Sequence, residues 1–303
     1  MPLTPLIHLF VGLVFAPLLL GVINRTKAVF AGRRGQPLLQ LYYDIWKLLR
    51  KGAVYSRTTT WIFRAGPIVG LAAILAAMAL LPFGKTPALI AFPGDLILFA
   101  YLLGLIRFFT VIAALDTGSS FEGMGASREV QFSALAEPAL FLALVAVARR
   151  TGSISLSGMF EKLSTDVWQT AGLSLALVAA ALLVVLLCEN ARIPVDDPNT
   201  HLELTMIHEV MVLDHSGPDL AFIAYGAALK LWVLGALLIG IALPIRSRNG
   251  WIDIAVCIGG MLALGVVIGI VESTMARLRL VRVPQLLVGA GVLATLALIL
   301  VLR

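Results

Sequence analysis

Long apolar runs leave this chain one kind of fold. Leu220–Leu243 carries a single charge, Lys230, and Gly172–Leu187 carries none. Such runs approach or exceed the roughly 18 residues that a helix needs to cross a bilayer. A mean hydropathy of +0.98 and an apolar fraction of 60% exclude an ordinary soluble domain. No strand-length alternation of the outer-membrane barrel kind is present. The sequence predicts an all-α polytopic protein, one transmembrane domain over 1–303, with about eight spans. They are read at Pro5–Ile23, Pro67–Pro82, Asp95–Leu115, Phe132–Ala148, Gly172–Leu187, Leu220–Leu243, Trp251–Val271 and Pro284–Leu302. MPLTPLIHLF has no basic n-region, so a cleaved signal peptide is not expected.

Sidedness follows from the basic residues. Arg107 and Lys230 are read as intramembrane. The loops after odd-numbered spans hold fourteen of the 23 basic residues and the opposite side holds seven. The positive-inside rule puts the odd loops in the cytoplasm and both termini outside, in the periplasm of a bacterial inner membrane. The net charge of +6 is accounted for by these loops, so no nucleic-acid partner is expected. In the first loop, 24–65, GRRGQP has turn chemistry. LLQLYYDIWKLLRKG after it mixes apolar and charged residues as an amphipathic helix lying on the bilayer surface does. That helix also offers a docking surface to a soluble partner.

The central loop, 188–217, is the dense polar segment: CENARIPVDDPNTHLELTMIHEVMVLDHSG. Charge at a membrane boundary is costly unless solvated, paired or used. Pro194 and Pro198 break any helix in its first half, and a short helix is expected from about His201 to Leu213. Outside this loop, Glu137 lies within the fourth span, where that span overlaps the end of a loop read from Asp116 to Pro138 whose Gly118, Gly123 and Gly125 permit close turns. An acid within a span is a candidate for proton handling, and pairing with Arg107 or Arg128 is the structural alternative. Lys230 is expected against an acid such as one of the central loop. Glu272, near Arg277 and Arg279, reads as a surface charge.

The residues exclude several chemistries. Cys188 and Cys257 are isolated, so no iron–sulfur cluster is expected on this chain. His208-Glu209 resembles the start of a zincin motif, but position 212 is Val, and no metal site is expected. There is no Walker A motif, no Rossmann glycine fingerprint and no Ser-His-Asp arrangement. What the residue types support is proton handling by carboxylates in low dielectric, with Glu137, Glu189, Asp196 and Glu203 as candidates.

The run E-x-x-R-x-P-x-D-x-P-x-x-x-x-E-L, here Glu189, Arg192, Pro194, Asp196, Pro198, Glu203 and Leu204, resembles the loop of the membrane subunit that seats the quinone site in respiratory complex I. Arg128 and Glu137 match an Arg and a Glu nine residues apart in the same family. Where quinone-binding members have further acids after the second proline, this chain has Asn199 and His201. With AGRRGQPLLQ and SREVQFSALAEP, the pattern is similar to the branch found in membrane-bound group 4 nickel–iron hydrogenases of the formate hydrogenlyase type.

The resemblance implies a subunit without a cofactor of its own. It implies partners: nickel–iron hydrogenase large and small subunits, a ferredoxin-like iron–sulfur subunit and an antiporter-like membrane subunit, with the nickel–iron centre and iron–sulfur clusters in those partners. It implies a proton path through Glu137, Glu189, Glu203, Asp196 and Lys230. Asp196 with Arg192 would bias the loop. Arg34, Asp44 and Lys47 would dock the soluble arm from the surface helix, joined by Arg128, Asp197, His201, His208 and Glu209. A quinone-site subunit of a complex I-type NADH-quinone oxidoreductase is the alternative, and the missing acids argue against it.

Overall fold

The computed structural model describes residues 3–84, 86–196, 206–244 and 250–303. Eight of its helices are long and apolar enough to cross a membrane. They are α1 (Leu3–Phe30), α3 (Trp61–Ala79), α4 (Asp95–Asp116), α5 (Ser120–Thr151), α7 (Thr165–Glu189), α8 (Gly217–Ala242), α9 (Gly250–Thr274) and α10 (Val283–Leu302). Among the described residues two shorter α-helices lie outside the spans: α2 (Gln40–Leu49) and α6 (Leu156–Lys162). Helices suit this setting because they satisfy every backbone polar group internally.

Helix α8 is the hub, packing against α1, α2, α3, α7 and α9. Its Trp232, Leu229, Leu234 and Leu237 belong to one continuous apolar core with Leu19, Ile74, Phe99, Leu144 and Val185. Small residues set the close crossings. A Cβ on Gly269 would lie 2.6 Å from Thr26 Cβ on α1, and one on Gly235 would lie 2.9 Å from Met261 on α9.

Four boundaries lie well away from those expected; of these, α3 starts at Trp61, not Pro67, and α7 at Thr165, not Gly172. Helix α1 runs past Ile23 through Lys27 to Phe30, because Lys27 finds a buried acid on α9. Helix α5 starts at Ser120, not Phe132, so the expected loop from Asp116 to Pro138 shrinks to a short turn at Thr117–Ser119. Gly118, at φ 71°, makes that turn. Gly125 does something else: it is buried in α5 and lets the central loop touch the helix, with Ile207 O 2.9 Å from where a Cβ would stand. The buried positions Glu122, Gly125, Ala126, Glu129, Phe132, Ser133 and Ala136 recur at helical spacing, one continuous inward face.

The amphipathic segment forms α2 as expected, with no fully buried residue. Tyr42 donates to the Val14 carbonyl on α1, and Tyr43 and Trp46 face outward. Arg34 precedes this helix instead of lying on it, and its carbonyl accepts from Arg25.

Candidate functional site

Helix α7 ends inside the bundle. Its last residue, Glu189, meets Arg107 of α4 and Lys230 of α8, with Lys230 Nζ at 2.8 Å. Arg107 lies nine residues before the end of α4 at Asp116, which at 1.5 Å per residue is about 13 Å in. The chain that follows is therefore drawn into the protein, and Ala191 to Asp196 are all buried. A loop at this depth is tolerated because protein surrounds it.

Arg107 is the centre of an ionic network. Its guanidinium reaches Glu189, Glu137 and Glu129, the last at 3.1 Å from Nε. A planar fork of five donors suits three carboxylates at once. From Glu129 the network passes to the central loop: Glu129 Oε2 lies 3.1 Å from His208 Nε2. His208 Nδ1 faces Asp196 Oδ2 at 3.9 Å, and Asp196 Oδ1 pairs with Arg277 at 2.8 Å. Glu137 is the outlier. Its side chain is 45% exposed, against 8% or less for Arg107, Glu129 and Glu189.

Asp196 also fixes the loop itself. Its Oδ2 accepts from the amides of Ile207 (3.1 Å) and His208 (3.4 Å). Arg128 donates to the Met206 carbonyl at 2.8 Å, and Leu278 N donates to the Pro194 carbonyl at 2.9 Å. A second group holds the other side. Glu272, with no side-chain exposure, pairs with Lys27 at 2.7 Å and Arg192 at 3.3 Å. The surface role expected for Glu272 is thus replaced by a buried one, because α1 and the loop bring two cations to it. Within the described residues the expected helix up to Leu213 reduces to a single 3-10 turn, Glu209–Val212. Asp197, His201 and Glu203 lie outside the described residues.

Four of these residues, Glu189, Arg192, His208 and Lys230, border a cavity of about 480 Å³ between α1, α2, α3, α4, α8 and the loop. Its walls are largely apolar, from Leu20, Leu41, Ile74, Ile106, Phe222 and Ile223. Glu189, Lys230, Arg192, His208, Glu209 and His215 supply charge and titratable groups at one side, and Asp44 with Gln40 at another. Asp44 accepts from Gln40 Nε2 at 2.9 Å, and Lys47 is exposed.

The two described loop histidines differ. Burial pulls His208 down, but the carboxylates of Glu129 and Asp196 outweigh it and raise its pKa above the ordinary value. His215 is stacked on Phe63 at 3.9 Å, and burial lowers its pKa against the pull of Asp219 and Asp214. Among the described residues no group of three His, Cys, Asp or Glu side chains is arranged to hold a metal ion.

Reading the sequence alone missed Glu129, Arg107 as the hub, Glu272 and His215. Glu129 had a signal: it falls on the same helical face as Glu122, Gly125 and Ser133. The partners of the others come from distant parts of the chain.

A bundle of membrane-length helices with a charged loop drawn into it makes this chain a polytopic helical membrane protein. It is a member of the NADH dehydrogenase family, whose model matches residues 4–303. It is 33% identical over 297 residues to formate hydrogenlyase subunit 4 of Escherichia coli (strain K12), covering 94% of this chain and 93% of that protein. It is 33% identical over 273 residues to hydrogenase-4 component C of the same organism, covering 88% and 84%. The fold is shared with a chain of the membrane-bound sulfane sulfur reductase, an archaeal respiratory membrane complex. That match has a TM-score of 0.82 at 21% identity, over 99% of this chain and 98% of the other. Similarity to subunits of NADH-quinone oxidoreductase is weaker: the one from Anaplasma phagocytophilum (strain HZ) is 25% identical over 272 residues, covering 83% and 77%.

Proposed function

We propose that this chain is the membrane-anchoring and proton-coupling subunit of a group 4 nickel–iron hydrogenase complex. The observation that carries the reading is the run of charged contacts, each within 3.9 Å, from the central loop into the helix bundle: Arg277, Asp196, His208, Glu129, Arg107, Glu189 and Lys230. The 33% identity to the two hydrogenase-complex proteins supports the choice of branch. Buried charge is expensive, and a chain of it that links a loop to four helices is suited to passing a change of charge inward.

In this reading the nickel–iron large and small subunits and the ferredoxin-like subunit dock on the cytoplasmic loops, and both termini are periplasmic. The nickel–iron centre and the iron–sulfur clusters belong to those partners. A change of charge in the docked arm biases the loop through Asp196 and Arg192, and the acids of the network take up or release protons. Half-exposed Glu137, within a spanning helix, is the exit. A carboxylate there is costly against lipid, so a second membrane subunit of the antiporter-like kind covers it. Asp44 and Lys47 on α2, with Arg34 just before it, form the docking edge beside the loop. Glu209 and Arg128 belong to the same coupling surface, with Arg128 holding the loop in place through the Met206 carbonyl; the docking role of Asp197 and His201 and the proton-path role of Glu203 fall on residues outside those described.

The test is mass spectrometry of the complex that co-purifies with the tagged chain in mild detergent. Nickel–iron and small ferredoxin-like subunits are expected. Flavin- and NADH-binding subunits in their place would overturn the reading. The cavity supports a second reading, a quinone site, since an apolar chamber ending in Glu189, Lys230 and His208 would fit an apolar tail and a polar head. Inhibitor-sensitive quinone reduction by the purified complex would favour it. The Asn199 and His201 pattern predicts none.

A further inference from the structure

The position of His208 answers a question that the coupling reading leaves open, namely where a proton rests between loop and membrane. Both ring nitrogens of His208 are shielded from solvent, and each faces a carboxylate oxygen: Nε2 that of Glu129 and Nδ1 that of Asp196. Neutral imidazole has one N–H, so it leaves one nitrogen lone pair facing a carboxylate. Imidazolium has two and a positive charge, attracted by the Glu129 oxygen at 3.1 Å and the Asp196 oxygen at 3.9 Å. Charge points the same way. Among the described residues of this network, the cations Arg107, Lys230 and Arg277 face the carboxylates of Glu129, Glu137, Glu189 and Asp196, one cation short.

We infer that His208 is the proton-loading residue of the network, holding one exchangeable proton between Glu129 on α5 and Asp196 in the central loop. The groups around it come from three elements: Glu129 from α5, Asp196 from its own loop, and Lys230 from α8, which opposes the positive charge. Glu189, at the end of α7, feels it in turn. In the transfer step the Nε2–H bond breaks and the proton passes to Glu129 Oε2, leaving a neutral imidazole and a carboxylic acid beside Arg107. Solvent protons reach the ring again through the cavity it borders. Loss of the proton removes the attraction between His208 and Asp196, the residue that also binds the Ile207 and His208 amides. Proton occupancy and loop conformation are therefore tied at one side chain. The inference deepens the coupling reading and rests on it only for the consequence, not for the proton.

The test needs no partner subunit. The full chain, with its four histidines ring-labelled with ¹⁵N, is titrated in lipid nanodiscs. One imidazole signal, missing in His208→Gln, is expected to titrate above the ordinary histidine value of about 6.5. Glu129→Gln is expected to lower its midpoint by about 1–3 units, the scale of a lost neighbouring charge. If His208→Gln does not accumulate, Gln variants of His8, His201 and His215 assign the signal by exclusion. A His208 midpoint at or below the ordinary value, or one that Glu129→Gln leaves in place, overturns the inference. Co-purification, which tests the hydrogenase reading, can fail while this result stands.

Discussion

Asp95 and Glu189 are both buried acids, one at the first residue of α4 and one beside Arg107 in the interior of that helix, and they are stabilised in different ways. Asp95 opens α4 on the side away from the central loop. Its carboxylate accepts from Ser155 Oγ (2.7 Å), Leu156 N (2.6 Å) and Phe92 N (3.4 Å). These donors are neutral and fixed to the backbone or a short side chain, so the carboxylate ties α4 to the start of α6. Glu189 is held by two cations, Arg107 and Lys230, and through Arg107 it is joined to two further acids. Neutral dipoles hold a charge in place. A row of alternating charges can pass a change along, since altering one member changes the field on the next. Under the proposed function, this difference, more than burial, separates a structural acid from a coupling acid.

The largest effect is expected from Arg107→Met, which leaves three carboxylates without their shared cation. It is predicted to lower stability by about 3–5 kcal/mol, seen in thermal unfolding in detergent. A loss no greater than that caused by Asp95→Asn would erase the distinction drawn above. Gly125→Ala comes next. The added methyl pushes on the Ile207 carbonyl, and a cost of about 1–3 kcal/mol is predicted, with faster proteolysis of the central loop.

The two loop histidines are predicted to give pH dependences of opposite sign. The folded pKa of His208 is raised, so its stabilising contribution is full below about 6.5 and is lost as pH rises through the folded value. The folded pKa of His215 is lowered, so its contribution is full above about 6.5 and is lost as pH falls through the folded value. Protection of the Ile207 and His208 amides, taken relative to the intrinsic exchange rate at each pH, should fall at high pH in the wild type and lose that dependence in His208→Gln. Matching slopes for His208→Gln and His215→Gln variants would contradict the assignment. Lys47→Ala is the smallest change. Lys47 is exposed, so stability should move by no more than about 0.5 kcal/mol, while retention of the soluble partners in a pull-down falls.

Much of the fold was legible because apolar length alone calls for a spanning helix. The eight spans and the surface helix are where the runs place them. Two of the misplaced ends are those where polar residues continue a helix inside the protein. Lys27 and Glu129 look like loop residues until Glu272 and Arg107 are seen beside them. The same physics set the limit at the site. Glu137, Glu189 and Lys230 stand out as charges in or against apolar runs. Glu272 and His208 acquire their setting only from partners far along the chain, 80 residues in the case of Arg192 and Glu272.

The most direct measurement compares Glu189→Gln with Asp95→Asn in the complete complex reconstituted into vesicles, following electron transfer and proton movement together. The account predicts that Glu189→Gln keeps assembly and electron transfer but loses proton movement, while Asp95→Asn keeps all three. Wild-type proton movement in Glu189→Gln would contradict it.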